Sequence, residues 1–221
     1  MKIVSFSLWG NHPAYYSGAI KNAKLINNEF YLGWKSWFFV GSEAPKDYIQ
    51  ELSVYADKII FVNRNDFSLT FERFSSILYE NVEIAVSRDT DSRVCDKEYQ
   101  AVLEWESSDK IFHAMRDHKL HNFPIMAGMW GVKKSMPESA LKEFKEIYNN
   151  RSDRFQSDQQ SFCNFYKKFN ELFLEHDDLG RYNGGRFPDH KGFQFGSYIG
   201  QRVNGDDSIA SEMKSFNEAG Y

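Results

Sequence analysis

The 221-residue sequence predicts a single α/β domain with a central, mixed but mostly parallel β-sheet flanked by helices. Two observations predict this architecture. Short apolar runs of strand length alternate with helix-period segments through the first ninety residues, and an aspartate-rich segment directly follows the fourth run. Such alternation favours βαβ units with parallel strands and right-handed crossovers. A chain of this length buries about 70% of its surface on folding, which suits one large core.

Local patterns place each element along the chain. In the first half, apolar runs predict strands at 2–8, 34–40, 57–62 and 82–86. Apolar residues at helical spacing predict helices at 15–30, 45–55 and 67–79. Beyond residue 88 the alternation is less regular, with helices predicted at 96–107, 135–149 and 155–169 and extended segments at 110–115, 125–132 and 193–199. The second of these helices, at 135–149, begins with a capping-box pattern, Ser-Met-Pro-Glu at 135–138.

Composition excludes several classes of protein. The chain has 27 Lys and Arg against 31 Asp and Glu, and this net charge of −4 argues against a general nucleic-acid binder. Cys95 and Cys163 are too few for a disulfide framework and favour a reducing compartment. The amino-terminal segment does not have the pattern of a signal peptide, and the longest apolar runs are strand-sized. We therefore expect no membrane span and a cytoplasmic location.

The segment 88–93, Arg-Asp-Thr-Asp-Ser-Arg, follows the fourth predicted strand. In open α/β sheets ligands bind beyond the carboxyl ends of the strands, which is where Asp89 and Asp91 would lie. Mg²⁺ and Mn²⁺ are typically held by one or two carboxylates together with substrate phosphates. The flanking Arg88 and Arg93 suit a phosphate-bearing ligand. The segment therefore predicts a site for a divalent cation and a phosphorylated substrate.

Two other kinds of site share part of this pattern. A calcium EF-hand loop is excluded, because Arg93 and Val94 occupy its third ligand and glycine positions. A phosphatase that uses the first aspartate, here Asp89, as nucleophile also places such a motif after a strand. In those enzymes the motif usually opens the chain, whereas 88 residues precede it here. The phosphatase interpretation is weakened and stays open.

A second concentration of ionisable residues lies at 116–121, ahead of an apolar run. In the functional interpretation this is a pocket wall, where Gly128 lets backbone approach a ligand and the ring of Trp130 contacts a sugar. In the structural interpretation it is a hydrogen-bonded turn with satisfied histidines. Both interpretations stay open at this point.

Two later clusters add candidate ligands. Segment 157–160, Ser-Asp-Gln-Gln, opens a predicted helix and either caps it or faces the site. His176 follows an apolar, strand-like run, and its neutral imidazole is a candidate to complete a metal shell begun by Asp91.

Taken together and in this order, the segments resemble the GT-A-type nucleotide-sugar glycosyltransferases, in particular a small group that includes the capsid-modifying enzymes of chlorella viruses and related bacterial sequences. The resemblance covers most of residues 1–200, although Ala127 stands where related chains tend to carry glycine. The matching segments are Tyr-Tyr-Ser-Gly-Ala-Ile-Lys-Asn at 15–22, Phe-Glu-Arg-Phe at 71–74, Arg-Asp-Thr-Asp-Ser-Arg at 88–93, Met-Arg-Asp-His at 115–118, Gly-Met-Trp-Gly at 128–131, Ser-Asp-Gln at 157–159 and Phe-Gln-Phe-Gly at 193–196.

The resemblance implies a GT-A-like (Rossmann-like) fold, in which 1–93 is the nucleotide-binding half, 94–200 the sugar and acceptor half, and 201–221 a polar tail. Asp91 would bind Mn²⁺ or Mg²⁺ directly, and Asp89 would hold the metal or the ribose of the donor. His176 stays the candidate third ligand that its position in the sequence suggests. The expected nucleotide and donor contacts are Ser7, Leu8, Trp9, Tyr15, Arg73, Arg88, Asp89, Gly128 and Trp130. The expected catalytic residues are Asp117, His118, Asp158 and Gln159.

The implied activity is metal-dependent transfer of a hexose from a UDP-sugar to a glycan or glycoprotein acceptor. The nearest resemblance suggests viral capsid glycosylation, with host cytoplasm as the location if the protein is viral. An inverting reaction needs a base near the acceptor hydroxyl, for which Asp117, His118 and Asp158 are candidates. A retaining reaction needs none if the leaving phosphate takes the proton, and we favour it. The alternatives are a metal-dependent phosphohydrolase with Asp89 as nucleophile and a non-catalytic carbohydrate-binding module, which the 17% aromatic content suggests.

Overall fold

One mixed sheet of seven strands organises the computed structural model, which describes residues 1–182 and 184–210. The strand order is β3-β2-β1-β4-β6-β5-β7. The first four strands pair in parallel, β6 is antiparallel to both β4 and β5, and β7 is parallel to β5. The strands are β1 (Lys2–Leu8), β2 (Lys35–Gly41), β3 (Lys58–Val62), β4 (Ile84–Arg88), β5 (Phe112–Arg116), β6 (Met129–Lys133) and β7 (Phe173–Asp177). The predicted α/β architecture with a mostly parallel, mixed sheet is confirmed.

Six helices pack on this sheet within the described residues. The first begins with Pro13, at a position where a backbone N–H would have no partner within the helix, so its absence costs no hydrogen bond. The His12 ring accepts a hydrogen bond from the Ala14 N–H. The helices are α1 (Pro13–Asn28), α2 (Lys46–Tyr55), α3 (Glu72–Ser75), α4 (Asp96–Ser107), α5 (Glu138–Asn149) and α6 (Ser157–Phe169). No helix among the described residues is long and apolar enough to cross a membrane.

The core forms a layer on each face of the sheet. Side chains alternate along a strand, so Ile3 and Trp37 enter one layer while Val4 and Phe38 enter the other. Helices α1, α2 and α4 cover the layer around Val4, and α3, α5 and α6 cover the layer around Ile3. The two layers hold the sheet between them and fix the positions of the loops at its edge.

Three predicted elements differ from the structure. Residues 67–79 are not one helix, because α3 is only four residues long and lies between two short 3-10 turns. The Ser75 and Ser76 hydroxyls donate to backbone carbonyls there, which competes with helical bonding. Segment 193–199 is a succession of bends rather than a strand, and α5 begins after Pro137 rather than at a capping box. Residues 211–221 of the predicted polar tail lie outside the described residues.

Candidate functional site

A cleft of about 590 Å³ opens at the carboxyl ends of β1 and β4. These strands are neighbours, with β2 and β3 on one side of the pair and the later strands on the other. Ligands of open α/β sheets bind at such a reversal of strand order. The predicted site residues that line the cleft are Ser7, Leu8, Trp9, Tyr15, Arg73, Asp89, Asp91, Gly128, Asp158 and Gln159.

The two aspartates follow the last residue of β4 and line the cleft together. Burial and the negative charge of Asp89 raise the pKa of Asp91 to about 6, although the charge of Arg202 opposes the change. The Arg202 Nε lies 3.5 Å from Asp91 Oδ2. Burial and the same carboxylates also raise the pKa of Tyr15. The site therefore concentrates negative charge that a bound cation would relieve.

Two glycines let neighbouring elements approach the aspartate loop. A Cβ added to Gly18 of α1 would lie 1.9 Å from the Thr90 carbonyl oxygen, and one added to Gly128 would lie 1.9 Å from Asp89 Oδ2. The buried Asn22 side chain adds two hydrogen bonds to the backbone of the same loop. The loop is thus held from both sides, and its carboxylates are preorganised.

Arg73 joins this loop to the beginning of α6. Its Nη2 donates to Asp158 Oδ2 at 2.7 Å, and its Nη1 contacts the Asp89 carboxylate. The Ser7 hydroxyl accepts from the Arg73 N–H at 3.1 Å and donates to the Leu69 carbonyl at 2.8 Å. Burial raises the pKa of Asp158, and the Arg73 charge acts in the opposite direction. Ser7 therefore fixes the backbone from which Arg73 holds two carboxylates.

The carboxylate pair fits a hard divalent cation, because Mg²⁺ and Mn²⁺ take oxygen ligands and commonly use one or two carboxylates. Asp89 and Asp91 are both partly exposed to the cleft. In the described part of the chain, no group of three or more His, Cys, Asp or Glu residues is arranged to hold a metal ion. A cation bound here would take its remaining oxygens from water or from ligand phosphates.

The prediction that His176 completes this shell is wrong. The apolar run extends into β7, so His176 lies inside that strand and three strands away from β4. Its Nδ1 is 2.8 Å from His113 Nε2, and its Nε2 is 3.6 Å from a Glu104 carboxylate oxygen. The imidazole is buried and bonded within the fold.

Arg88 and Trp130 lie behind the cleft, so their predicted donor contacts are also wrong. Arg88 is fully buried, donates to the Gly128 carbonyl at 2.7 Å and pairs with Glu98 at 2.9 Å. Trp130 is buried against the rings of Phe74 and Phe162. Both residues support the cleft floor and do not line it.

Asp117 and His118 likewise do not line the cleft, contrary to their predicted catalytic placement. The Asp117 carboxylate is buried, accepts from the Ile199 N–H and lies 3.0 Å from Lys97 Nζ. The His118 ring stacks on Tyr198 with 3.8 Å between ring centroids. These contacts hold both side chains within the fold and outside the cleft lining.

Several cleft residues were not among the predicted site residues. Burial lowers the pKa of His121 to about 3, so its imidazole is neutral, and its Nδ1 accepts from the Asp117 and His118 N–H groups. The others include His12, Phe67, Thr70, Arg154, Phe155, Tyr198 and Arg202. Crowding of ionisable residues at 116–121 was a signal for His121, whereas Arg202 lies in the segment predicted to be a polar tail and had none.

Comparisons with known proteins rest on structure alone. No protein-family model matches the sequence, and no curated protein matches it. The glucosyl-3-phosphoglycerate synthase of Mycobacterium tuberculosis is 7% identical, with a TM-score of 0.51 over 87% of this chain and 72% of that one. The 4-diphosphocytidyl-2C-methyl-D-erythritol synthase of Anaerococcus prevotii is 11% identical, with a TM-score of 0.50 over 82% of this chain and 91% of that one.

A glycosyltransferase involved in the glycosylation of the major capsid of PBCV-1 is 14% identical, with a TM-score of 0.43 over 78% of this chain and 82% of that one. At these identities the likeness to the two synthases shows the fold alone. The chain has the GT-A-like, Rossmann-like fold that its sequence predicts.

Proposed function

We propose that the chain is a metal-dependent glycosyltransferase that moves a hexose from a UDP-sugar to a glycan or glycoprotein acceptor. The observation that carries the proposal is the pair Asp89 and Asp91, which follows β4 and opens on a cleft that also holds Arg73, Arg202 and several aromatic rings. Carboxylates for a cation, arginines for phosphate and rings for flat ligands are the groups that a sugar nucleotide needs. The fold likeness to a glucosyl-3-phosphoglycerate synthase supports a transferase of this kind.

In the proposed reaction the bond between the anomeric carbon and the diphosphate oxygen breaks, and a bond from that carbon to the acceptor hydroxyl oxygen forms. Asp89 and Asp91 would hold Mn²⁺ or Mg²⁺. When bound, the cation supplies positive charge that stabilises the leaving diphosphate. Arg202 is partly exposed and its ion pair with Asp91 is long, at 3.5 Å, so its guanidinium can turn to the same phosphates.

The acceptor proton has two possible destinations in the cleft. Asp158 is the acidic residue of the predicted catalytic group that lines the cleft. Burial raises its pKa, but Arg73 Nη2 donates to one carboxylate oxygen at 2.7 Å and the Gln159 N–H donates to the other at 3.0 Å. A carboxylate with both oxygens already bonded is badly placed to take a proton from an acceptor hydroxyl. We therefore favour a retaining reaction in which an oxygen of the leaving diphosphate takes the proton, while the Gln159 amide orients the sugar.

Calorimetric titration with UDP tests the donor site directly. We expect UDP to bind in the presence of Mn²⁺, to bind much more weakly in EDTA, and to lose its metal-dependent affinity in Asp91→Asn. The matched control is Asp47→Asn, at an exposed position on α2. Equal UDP binding by wild type with and without metal, or unchanged metal dependence in Asp91→Asn, would contradict the proposal.

A nucleotidyltransferase is a second candidate, because the fold likeness to the Anaerococcus prevotii synthase covers 91% of that chain. Such an enzyme would release pyrophosphate from a nucleoside triphosphate, whereas the proposed enzyme releases UDP from a UDP-sugar. Assays for these two products separate the candidates. Hydrolysis of p-nitrophenyl phosphate that depends on Asp89 would favour the phosphohydrolase, and glycan binding without metal or nucleotide would favour the binding module.

A further inference from the structure

The cleft lining includes two groups of side chains that differ in chemistry. In the first group Tyr15 and His12 lie together, with 5.2 Å between ring centroids, and Tyr15 is near Asp91 and Arg202. These side chains carry polar atoms suited to a base and its phosphates.

The second group consists of three rings in mutual contact, Trp9, Phe67 and Phe155, which we call the aromatic wall. Trp9 and Phe67 meet edge to face with 4.9 Å between centroids, and Phe67 meets Phe155 in the same way at 5.6 Å. Phe67 is 37% exposed and Phe155 is 50% exposed, and both line the cleft. Water-exposed phenyl rings in contact with one another, beside a charged centre, form an apolar surface available to a ligand.

The backbone next to Phe155 is held in a conformation that L-residues rarely adopt. Gln156 has φ 60° and ψ 10°, in the left-handed region, and its side chain does not cap α6. This conformation costs about 1 kcal/mol for a residue with a Cβ. The Ser157 hydroxyl donates to the Ser152 carbonyl at 3.0 Å and closes the loop behind Phe155. The loop therefore holds Phe155 at the cleft at some expense in stability, as functional loops do.

We propose that the aromatic wall is the acceptor subsite and stacks against the C–H face of a pyranose ring. Sugars combine such an apolar face with hydroxyl groups at its edge, and Arg154 and Gln156 line the cleft beside the wall to meet them. The nucleobase is left to Tyr15 and His12, next to the carboxylates that would hold the diphosphate's cation. This inference rests on the proposed function, because it assigns the first group of side chains in the same cleft to the donor. It also assigns Trp9, which the resemblance placed among the donor contacts, to the acceptor.

Saturation-transfer NMR measures the wall directly and needs no turnover. The probes are the methyl pyranosides of glucose, galactose, mannose, N-acetylglucosamine and xylose, tested with UDP and Mn²⁺ and again in EDTA without nucleotide. The variants are Phe155→Ala, Phe155→Trp, which keeps a ring, and Phe61→Ala. Phe61 is a matched control, because it is 66% exposed on β3 and does not line the cleft.

We expect wild type to bind at least one glycoside, Phe155→Ala to weaken it about tenfold, and Phe155→Trp and Phe61→Ala to bind as wild type does. UDP affinity should stay unchanged in all three variants. Loss of UDP affinity in Phe155→Ala with glycoside binding intact would overturn the inference and assign the wall to the nucleobase. Glycoside binding that is as strong in Phe155→Ala as in wild type would also overturn it, and so would the absence of glycoside binding by wild type under either condition. If glycoside binding depends on Phe155 but the protein fails to bind UDP, the aromatic wall is supported as a sugar site and the proposed UDP-sugar donor is contradicted.

Discussion

Arg73 and Asp158 form a buried ion pair, 2.7 Å from Nη2 to Oδ2, that links the two sides of the cleft. The Nη1 nitrogen of the same guanidinium contacts Asp89, and the Arg73 side chain is 4% exposed. One cation thus fixes a carboxylate from the loop after β4 and another from the first turn of α6. The spacing between the proposed cation site and the start of α6 depends on this single side chain.

Replacing Arg73 by Met should destabilise the protein by about 3–5 kcal/mol, because the buried Asp158 loses its cation while its negative charge remains. Urea unfolding of the metal-free protein measures this change. Arg154→Met is the control, since Arg154 lines the cleft but is exposed and is expected to change stability little. Equal stability of Arg73→Met and wild type would show that the ion pair does not hold the two elements together.

Gly128→Ala should displace the Asp89 carboxylate, because the new Cβ would lie 1.9 Å from Oδ2. We expect UDP affinity in Mn²⁺ to fall by about tenfold or more, the effect of losing one charged ligand contact. Gly185→Ala is the matched control, since its Cβ would meet nothing nearer than an oxygen at 4.0 Å. Unchanged metal-dependent UDP binding in Gly128→Ala would remove Asp89 from the proposed site.

Sequence reasoning predicted the parts of the site that are local. The aspartates follow a strand that their own apolar run defines, and a parallel strand of this kind delivers its next residues to the ligand edge of the sheet. The face of the sheet on which a side chain lies depends on how the strands pair, and the sequence does not show that pairing. Trp130 sits opposite Ser87 in an antiparallel pair and enters the core.

Residues brought from far along the chain were the hardest to predict. Arg202 reaches Asp91 because two contacts hold the segment that carries it. The Val203 N–H donates to the Asp91 carbonyl at 2.8 Å, and Asp207, a few residues further along, pairs with Lys21 of α1. Neither contact has a sequence signal, since each joins residues about a hundred or more positions apart. The aromatic wall was not predicted, for a similar reason. Phe67 and Phe155 belong to no sequence motif, and only the fold brings their rings into contact.

Trp130→Phe tests whether that indole is a core residue rather than a sugar contact. The smaller ring leaves part of the space between Phe74 and Phe162 empty, so we expect a loss of about 1–3 kcal/mol in unfolding free energy. UDP affinity and glycoside binding should match wild type, because Trp130 does not line the cleft. A variant of wild-type stability with weakened ligand binding would reverse the assignment.

The raised pKa of Asp91 predicts a pH-dependent gain in stability for Asp91→Asn. Burial and Asp89 raise this pKa from 3.8 to about 6 in the folded protein, so ionisation of Asp91 opposes folding. A raised acidic pKa leaves stability intact below the unfolded value of 3.8 and reduces it as pH rises from there to the folded value. In EDTA, Asp91→Asn should therefore be about 1–3 kcal/mol more stable than wild type at about pH 8 and nearly equal to it at about pH 3. Thermal or urea unfolding across this range measures the difference. The control is Asp189→Asn, at an exposed position outside the helices and strands, which should show none. An Asp91→Asn variant that is less stable at the higher pH, or whose difference from wild type does not change with pH, would show that the metal-free site carries no such repulsion between its carboxylates.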